Sequence, residues 1–473
     1  MIKTVLTGLF LCTTAMSQIS ASEELDFLKA VQKRYEASKS FQKYAIHYSY
    51  AFERAYQAYD FREPIAGHTV MTAEVDMANQ RYFDQATTNW PGGFVFDFIE
   101  FSNDTEAMQY DVNGLINGKR VRRLGTDAYE NTANYHNAKV DFLAVLPLLS
   151  DNLDNNSIEV TADKQSGQKK ITHTRPEGST IYTFTNNPID LVSIYQSENH
   201  TRVEYNQYVT RGNVRFATVL KQVNTETNLQ GTFDIAQVRE ITNISAEKLS
   251  LPAGYGPVIE RVDRTLFSTE IAPDLYLVTD ASAGRNILFK VVTEGIRVFG
   301  APISDKLSEE TIALISKQFP NKQILSVYVT HPHHDHIGGL TAYAKRGIPI
   351  LVDDYSIEAI KAYPKFQKDI GLFTFKAFSH EEKIDGAEFH ILENSHAKGQ
   401  SFVYFPDSQI IYEGDFLEIP YDNSTADHMP EVSKGFTEYI YATEIPVQRI
   451  VGHHRNNNIS VETMNALYEA NTD

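Results

Sequence analysis

The sequence predicts an α+β protein of two domains, an antiparallel β-rich domain followed by a mixed α/β domain. Three observations carry this reading. Short β-prone runs separated by Asn, Gly, Asp and Pro clusters fill the stretch from Phe41 to about Lys248. The string 250–257 holds Pro252, Gly254, Gly256 and Pro257 and reads as a domain junction. Beyond Val258 strands and helices alternate, but several strands precede the first helix, which argues against a strict doubly wound sheet. With 473 residues, 42% of them apolar and 22% charged, the chain can build sizeable cores, and disorder is excluded.

The first element is a leader. Lys3, an apolar run from Val5 to Leu11 and the small residues Ala15, Ser17, Ser20 and Ala21 predict a cleaved signal peptide over 1–22, hence a periplasmic or secreted location. The single cysteine, Cys12, lies inside it, so the mature chain offers neither a disulfide framework nor a thiolate. No other stretch approaches the roughly 18 apolar residues that span a bilayer, and stable membrane insertion is not expected.

The second region, 23–250, opens with Leu25, Leu28, Val31 and Tyr35, spaced as one face of a helix over 23–38. Strands are predicted at 44–52, 94–101, 179–184, 201–209 and 215–223, with one helix over 140–149. The third region, 258–473, begins with strands at 275–279, 286–292 and 296–300, a helix at 308–318 and a strand at 323–330. Further signals follow at 348–352, 357–363 and 387–392, in a hairpin over 401–414, and in a last helix near 461–468.

Lys plus Arg number 43 against 61 Asp plus Glu, a net charge of −18, so attraction to phosphate backbones is excluded and nucleic acid is not a partner. No GxGxxG or P-loop opens a helix after a strand, so nucleotide cradling has no support. The expected partner is a small-molecule substrate, and nothing in the sequence points to a protein partner.

Histidine and carboxylate must therefore supply the chemistry. Ten of the fifteen histidines fall between His331 and His454, and four sit within the run Thr330-His331-Pro332-His333-His334-Asp335-His336-Ile337-Gly338-Gly339. Imidazoles this dense at a strand end repel one another when protonated, and a bound cation is the simplest explanation. In an extended segment His331 and His333 point to one side, while Asp335 and His336 at the next turn address a second position.

This run resembles the HxHxDH signature of the metallo-β-lactamase fold superfamily of metal-dependent hydrolases. The other ligand positions of that family follow in order: His396 before the hairpin, Asp415 in Tyr-Glu-Gly-Asp-Phe, and His453-His454 after Arg449-Ile450-Val451-Gly452. The resemblance spans about 258–473 and implies an αββα sandwich with metals at one edge of two sheets. It assigns His331, His333 and His396 to a first metal, and Asp335, His336 and either His453 or His454 to a second, with Asp415 bridging. Val451-Gly452-His453 resembles the family's strand, glycine and histidine, while His454 is adjacent and stays open as the alternative. His334 is the variable position of the motif.

Two such cations, zinc on the family pattern with iron or manganese as alternatives, generate a metal-bound hydroxide near neutral pH, and Asp335 as the catalytic residue orients it. The implied activity is an exported binuclear zinc hydrolase of an ester, lactone, thioester or amide. Asp415, where one class of β-lactamases has cysteine, resembles the glyoxalase-II-like thioesterases and the lactonases. Gly300 departs from the pattern, because many members place there an aspartate that braces the metal loop. The β-rich region loosely resembles the half-barrel of periplasmic lipoprotein carriers, and its aromatic residues read as a sheet core or as a groove for an acyl or aromatic group. Two alternatives use the same residues: an apolar-ligand-binding protein with a vestigial metal domain, and a mononuclear iron dioxygenase of the same fold.

Overall fold

A computed structural model describes residues 16–18, 21–63, 66–150, 153–154, 157–163, 165–211 and 214–472. Of the leader predicted over 1–22, residues 1–15 and 19–20 lie outside the described residues, and Met16–Gln18 forms a short strand. Among the described residues no helix is long and apolar enough to cross a membrane. The chain divides into two compact units, one of residues 1–50, 72–82 and 129–244, the other of 51–71, 83–128 and 245–473.

The first unit is an antiparallel meander. Strands Ile158–Asp163, Lys169–Arg175, Gly178–Phe184, Leu191–Gln196, Thr201–Arg211, Val214–Asn224 and Gln230–Glu240 pair each with the next. Helix Ala21–Tyr35 covers one end: Phe27 meets Phe184 edge-on at 6.2 Å, and the Tyr35 hydroxyl accepts a hydrogen bond from Leu191 N at 3.0 Å. The helix predicted over 140–149 is instead a short turn of helix, Asp141–Ala144, followed by a 3-10 turn, Leu146–Leu149. Pro147 is the physical reason, since its missing N–H breaks the α ladder. Helix Ala128–Asn137 escapes the sequence reading because its four polar Asn and Glu positions carry low propensity or no apolar stripe.

The second unit holds the α/β/β/α sandwich. One sheet has seven strands in the order Phe267–Ala272, Leu275–Thr279, Ile287–Val291, Ile296–Phe299, Ile324–Tyr328, Ile350–Val352 and Phe375–Ala377, antiparallel up to Ile296–Phe299 and parallel after it. The other has five: Glu382–Ile384, Ala387–Ile391, Ser401–Phe405, Ile410–Glu413 and Arg449–Gly452, with only the last pair parallel. Alternation of side chains sorts these strands between layers. Leu288, Phe299, Tyr328 and Leu351 face Val403, Phe405, Tyr412 and Val451 in the core between the sheets. Their neighbours Phe289, Val298, Val327 and Ile350 pack under helices Asp305–Gln318, Leu340–Ala344 and Asp354–Ala362. Phe402, Tyr404, Ile411 and Ile450 do the same under Glu431–Thr443 and Val461–Thr472. Strands buried on both faces read as unbroken apolar runs, which is why they were legible in the sequence.

Segments from earlier in the chain pack with this unit. Phe94–Ser102 pairs antiparallel with Ala107–Asp111, that strand with Val121–Arg123, and Val121–Arg123 runs parallel to Val258–Ile259. The outer core layer gives a direct test. Phe289 is fully buried, stacked on Tyr276 at 4.8 Å and edge-on to Phe319 at 5.8 Å. Phe289→Ala is expected to cost about 3–5 kcal/mol, read by urea unfolding, and a change below about 1 kcal/mol would contradict this packing.

Candidate metal centre

The histidines converge because four strand ends converge. His331 follows Ile324–Tyr328, His396 follows Ala387–Ile391, and Asp415 and His453 leave the ends of the neighbouring parallel strands Ile410–Glu413 and Arg449–Gly452. One atom from each of His331, His333, His396 and Asp415 lies within 4.8 Å of the other three, and the same holds among His336, His453 and His454. Asp335 Oδ2 stands 3.7 Å from His336 Nε2 and 3.4 Å from His454 Nε2. Asp415 Oδ2 reaches both groups, at 3.1 Å from His336 Nε2, 3.3 Å from His396 Nε2 and 3.7 Å from His331 Nε2. It holds this place with φ +63°, a left-handed conformation open to aspartate more readily than to most side chains. All eight residues singled out in the sequence are thus brought together.

Each ring is oriented through its second nitrogen. His333 Nε2 donates to the carbonyl of Ala58 at 3.0 Å, and His396 Nδ1 donates to the carbonyl of Pro91 at 3.0 Å. His331 Nδ1 and His336 Nδ1 share the Thr330 hydroxyl, at 3.1 and 3.2 Å. Because a carbonyl only accepts, His333 and His396 keep their protons on those nitrogens and present the other one bare. Four ring nitrogens, His331 Nε2, His333 Nδ1, His396 Nε2 and His453 Nε2, are buried with no hydrogen-bond partner. Leaving one such atom unpaired costs about 1–3 kcal/mol, so their convergence fits a cation that takes up the lone pairs.

The electrostatics agree with this donor set at three of the rings, whereas at His336 the Asp415 and Asp335 carboxylates outweigh burial and raise the value. Burial first, and then His336 and His333, push His331 well below its ordinary value; burial likewise drives His333 to about 3 and His453 well down. These rings are neutral at pH 7, the state in which imidazole ligates a metal. Burial opposes ionisation of Asp415, but His336 beside it overcomes that and holds the carboxyl well below the usual carboxylate range.

Residues that the sequence reading left aside complete the site. Gln57 donates to Asp335 Oδ1 at 2.7 Å and lies 2.8 Å from His334 Nδ1, and Arg285 Nη2 donates to Asp335 Oδ2 at 3.3 Å. The turn at 90–94 is tied down on its far side, where Val432 N donates to Gly92 O at 3.0 Å and His428 Nε2 lies 2.7 Å from Gly93 O. Neither segment carries a ligand motif, so no sequence signal marks it beyond the adjacent Gly92-Gly93. Over the metal positions opens a cleft of about 350 Å³, walled by Trp90, Phe94 and Phe96 and floored by Asp335, His396 and Asp415. Arg285 and the ion pair of Arg455 with Glu418 stand at its polar side.

Gly92 has φ +89°, and a Cβ there would lie 2.8 Å from His396 Cβ. Gly92→Ala is expected to push the Pro91 carbonyl off His396 and weaken any metal binding there by about 10-fold or more, measured by metal titration. Unchanged affinity would show that the turn does not hold this ring.

Residues 298–422 match the family model of the metallo-beta-lactamase superfamily. A metallo-beta-lactamase type 2 of Bacillus sp. (strain 170) is 24% identical over 171 residues, 36% of this chain and 62% of that protein. The 2,4-dinitroanisole O-demethylase subunit alpha of Nocardioides sp. (strain JS1661) is 28% identical over 103 residues, 21% of this chain and 31% of that one. The chain therefore spans less than two thirds of either relative. Among solved structures, metallo-beta-lactamases of Erythrobacter litoralis and Hirschia baltica are 16% and 14% identical, each with 98% of its chain and 44% of this one covered and a TM-score of 0.35. The run His331–His336, His396 and Asp415 lie within the matched residues, so it is residues 298–422 of this chain that are similar to the metallo-beta-lactamase superfamily, while His453 and His454 lie beyond the match.

Proposed function

We propose that the protein is an exported metal-dependent hydrolase of the glyoxalase-II-like or lactonase-like branch, acting on an ester, lactone, thioester or amide. The observation that carries this is the set of buried, unpartnered ring nitrogens gathered around Asp415 beneath an open cleft. His331, His333 and His396 would hold one ion, and Asp335, His336 and one of His453 and His454 a second, with Asp415 reaching both. Bound zinc supplies Lewis acidity and makes water a nucleophile near neutral pH.

The chain's own residues supply the rest. Asp335, with one oxygen held by Gln57 and the other by Arg285, is fixed to orient the attacking water and to carry its proton toward the leaving group. The wall of Trp90, Phe94 and Phe96 excludes water and offers flat apolar surface to an acyl or aromatic group. The O-demethylase relative acts, by its name, on 2,4-dinitroanisole, so an aryl ether belongs among the substrates tried.

A panel of esters, lactones, thioesters, amides and aryl ethers, run with metal content measured on the same sample, tests this. Chelation is expected to abolish turnover and added zinc to restore it, and turnover surviving complete metal removal would reject the proposal. Asp335→Ala should lower kcat by about 100-fold or more, the scale of a lost proton carrier.

A further inference from the structure

The aromatic wall of the cleft is the near end of a longer row. Alternate residues of a strand share a face, so Phe94, Phe96, Phe98 and Glu100 of strand Phe94–Ser102 stand in line on one side of their sheet. Phe94 begins the row at the candidate metal centre, edge-on to the His396 ring at 5.3 Å between centroids. Phe96 follows at 6.0 Å and Phe98 at a further 6.5 Å, with successive rings tilted by 37° and 39°. Phe94 is buried, Phe96 and Phe98 are half-buried, and Phe96 lines the cleft together with Phe94 and Trp90. The opposite face of the strand is polar here: Asp97 accepts from Gln85 Nε2 at 3.0 Å and from Thr87 Oγ1 at 3.3 Å.

The flank and the far end of the row are both chemically closed. Asp111 lies across the ladder from Phe98, but its carboxylate is taken up by the backbone N–H groups of Gly114, Ile116 and Asn117, at 3.1, 2.7 and 3.1 Å. The row turns polar at Glu100, whose Oε1 accepts from Gln109 Nε2 at 2.5 Å, with Arg122 next across the ladder. From Phe94 to Phe98 the strand rises about 13 Å, and an aryl group the size of one ring would cover Phe94 or Phe96 without reaching Phe98. An extended hydrocarbon, with C–C bonds of about 1.5 Å, covers that distance in about ten carbons.

We propose, resting on the hydrolase reading above, that the row Phe94, Phe96 and Phe98 is an acyl-chain subsite, and that the substrate is an ester or thioester of a straight-chain fatty acid of about ten carbons, its carbonyl at the metal end and its methyl end at Phe98. Water adds its oxygen to the acyl carbon as the C–O or C–S bond breaks. One of its protons goes to the released alcohol or thiol and the other to solvent, and the fatty carboxylate is left lying along the row.

Ethyl esters of straight-chain acids from butanoate to tetradecanoate, hydrolysed by the full-length metal-loaded protein and followed by proton release, give the first test. The value of kcat/KM is expected to climb about 2-fold or more per added carbon, the scale of half-burying a methylene, and to level off near decanoate. A flat profile, or one still climbing at tetradecanoate, would overturn the proposal. Phe98→Ala should lower the decanoate-to-butanoate ratio of kcat/KM by about 10-fold, and a ratio equal to the parent's would overturn it too.

Trp90, the single tryptophan of the chain, lines the cleft and supplies a readout that needs no turnover. In the parent protein, decanoate is expected to shift its fluorescence at a concentration about 10-fold or more below that needed for butanoate or phenylacetate. Equal concentrations would overturn the proposal, whether or not Phe98→Ala folds. Tighter decanoate binding by a protein that hydrolyses no ester or thioester would instead defeat the hydrolase reading while upholding the subsite.

Discussion

The centre depends on one constraint: a neutral imidazole has a single proton, and whatever accepts it decides which nitrogen is left bare. At His333 the acceptor is the carbonyl of Ala58, and at His396 it is that of Pro91. Both are rigid main-chain atoms, so the bare nitrogens are fixed before any cation arrives. Preorganised rings do not have to be ordered at the moment of binding, and they hold their lone pairs in a buried place where water cannot satisfy them.

Those acceptors lie far from their histidines along the chain. The stretch 55–61 meets the HxHxDH loop repeatedly: Tyr56 O and Gln57 at His334, Gln57 at Asp335, and Ala58 O at His333. Tyr56 OH and Phe61 N extend the same seam to Ala359 O and the Tyr355 hydroxyl at 3.0 and 3.1 Å. The turn at 90–94 does for His396 what 55–61 does for the loop, and it also brings the aromatic wall of the cleft. Orientation of the His396 ring and the apolar surface of the cleft are thus delivered by the same piece of chain.

The sandwich supplies the rigidity on which these contacts rest. Beneath the loop, the Tyr328 hydroxyl lies 2.8 Å from Ser401 Oγ, which donates to Thr330 O at 3.0 Å, tying one sheet to the other directly under His331. Tyr412 plays a corresponding part beneath His453. Where a carboxylate would brace the loop through charge, this chain uses two buried hydroxyls, Thr330 and Tyr412, which orient rings without adding negative charge to a site that already holds Asp335 and Asp415.

The sequence by itself determined the candidate ligand set and the sandwich. Both are written in local patterns: histidines two apart at a strand end, and apolar runs whose alternate residues serve two layers. It also marked Gly300 as a departure from the family pattern. Only the tertiary structure decided what occupies the space beside Gly300, because the filler, Tyr412, reads in sequence as one more apolar strand position. The same holds for Gln57, Arg285 and the carbonyls of Ala58 and Pro91. A backbone carbonyl is present at every residue, so no sequence pattern can single out the one that takes a histidine's proton; that choice is made by packing across hundreds of residues of chain.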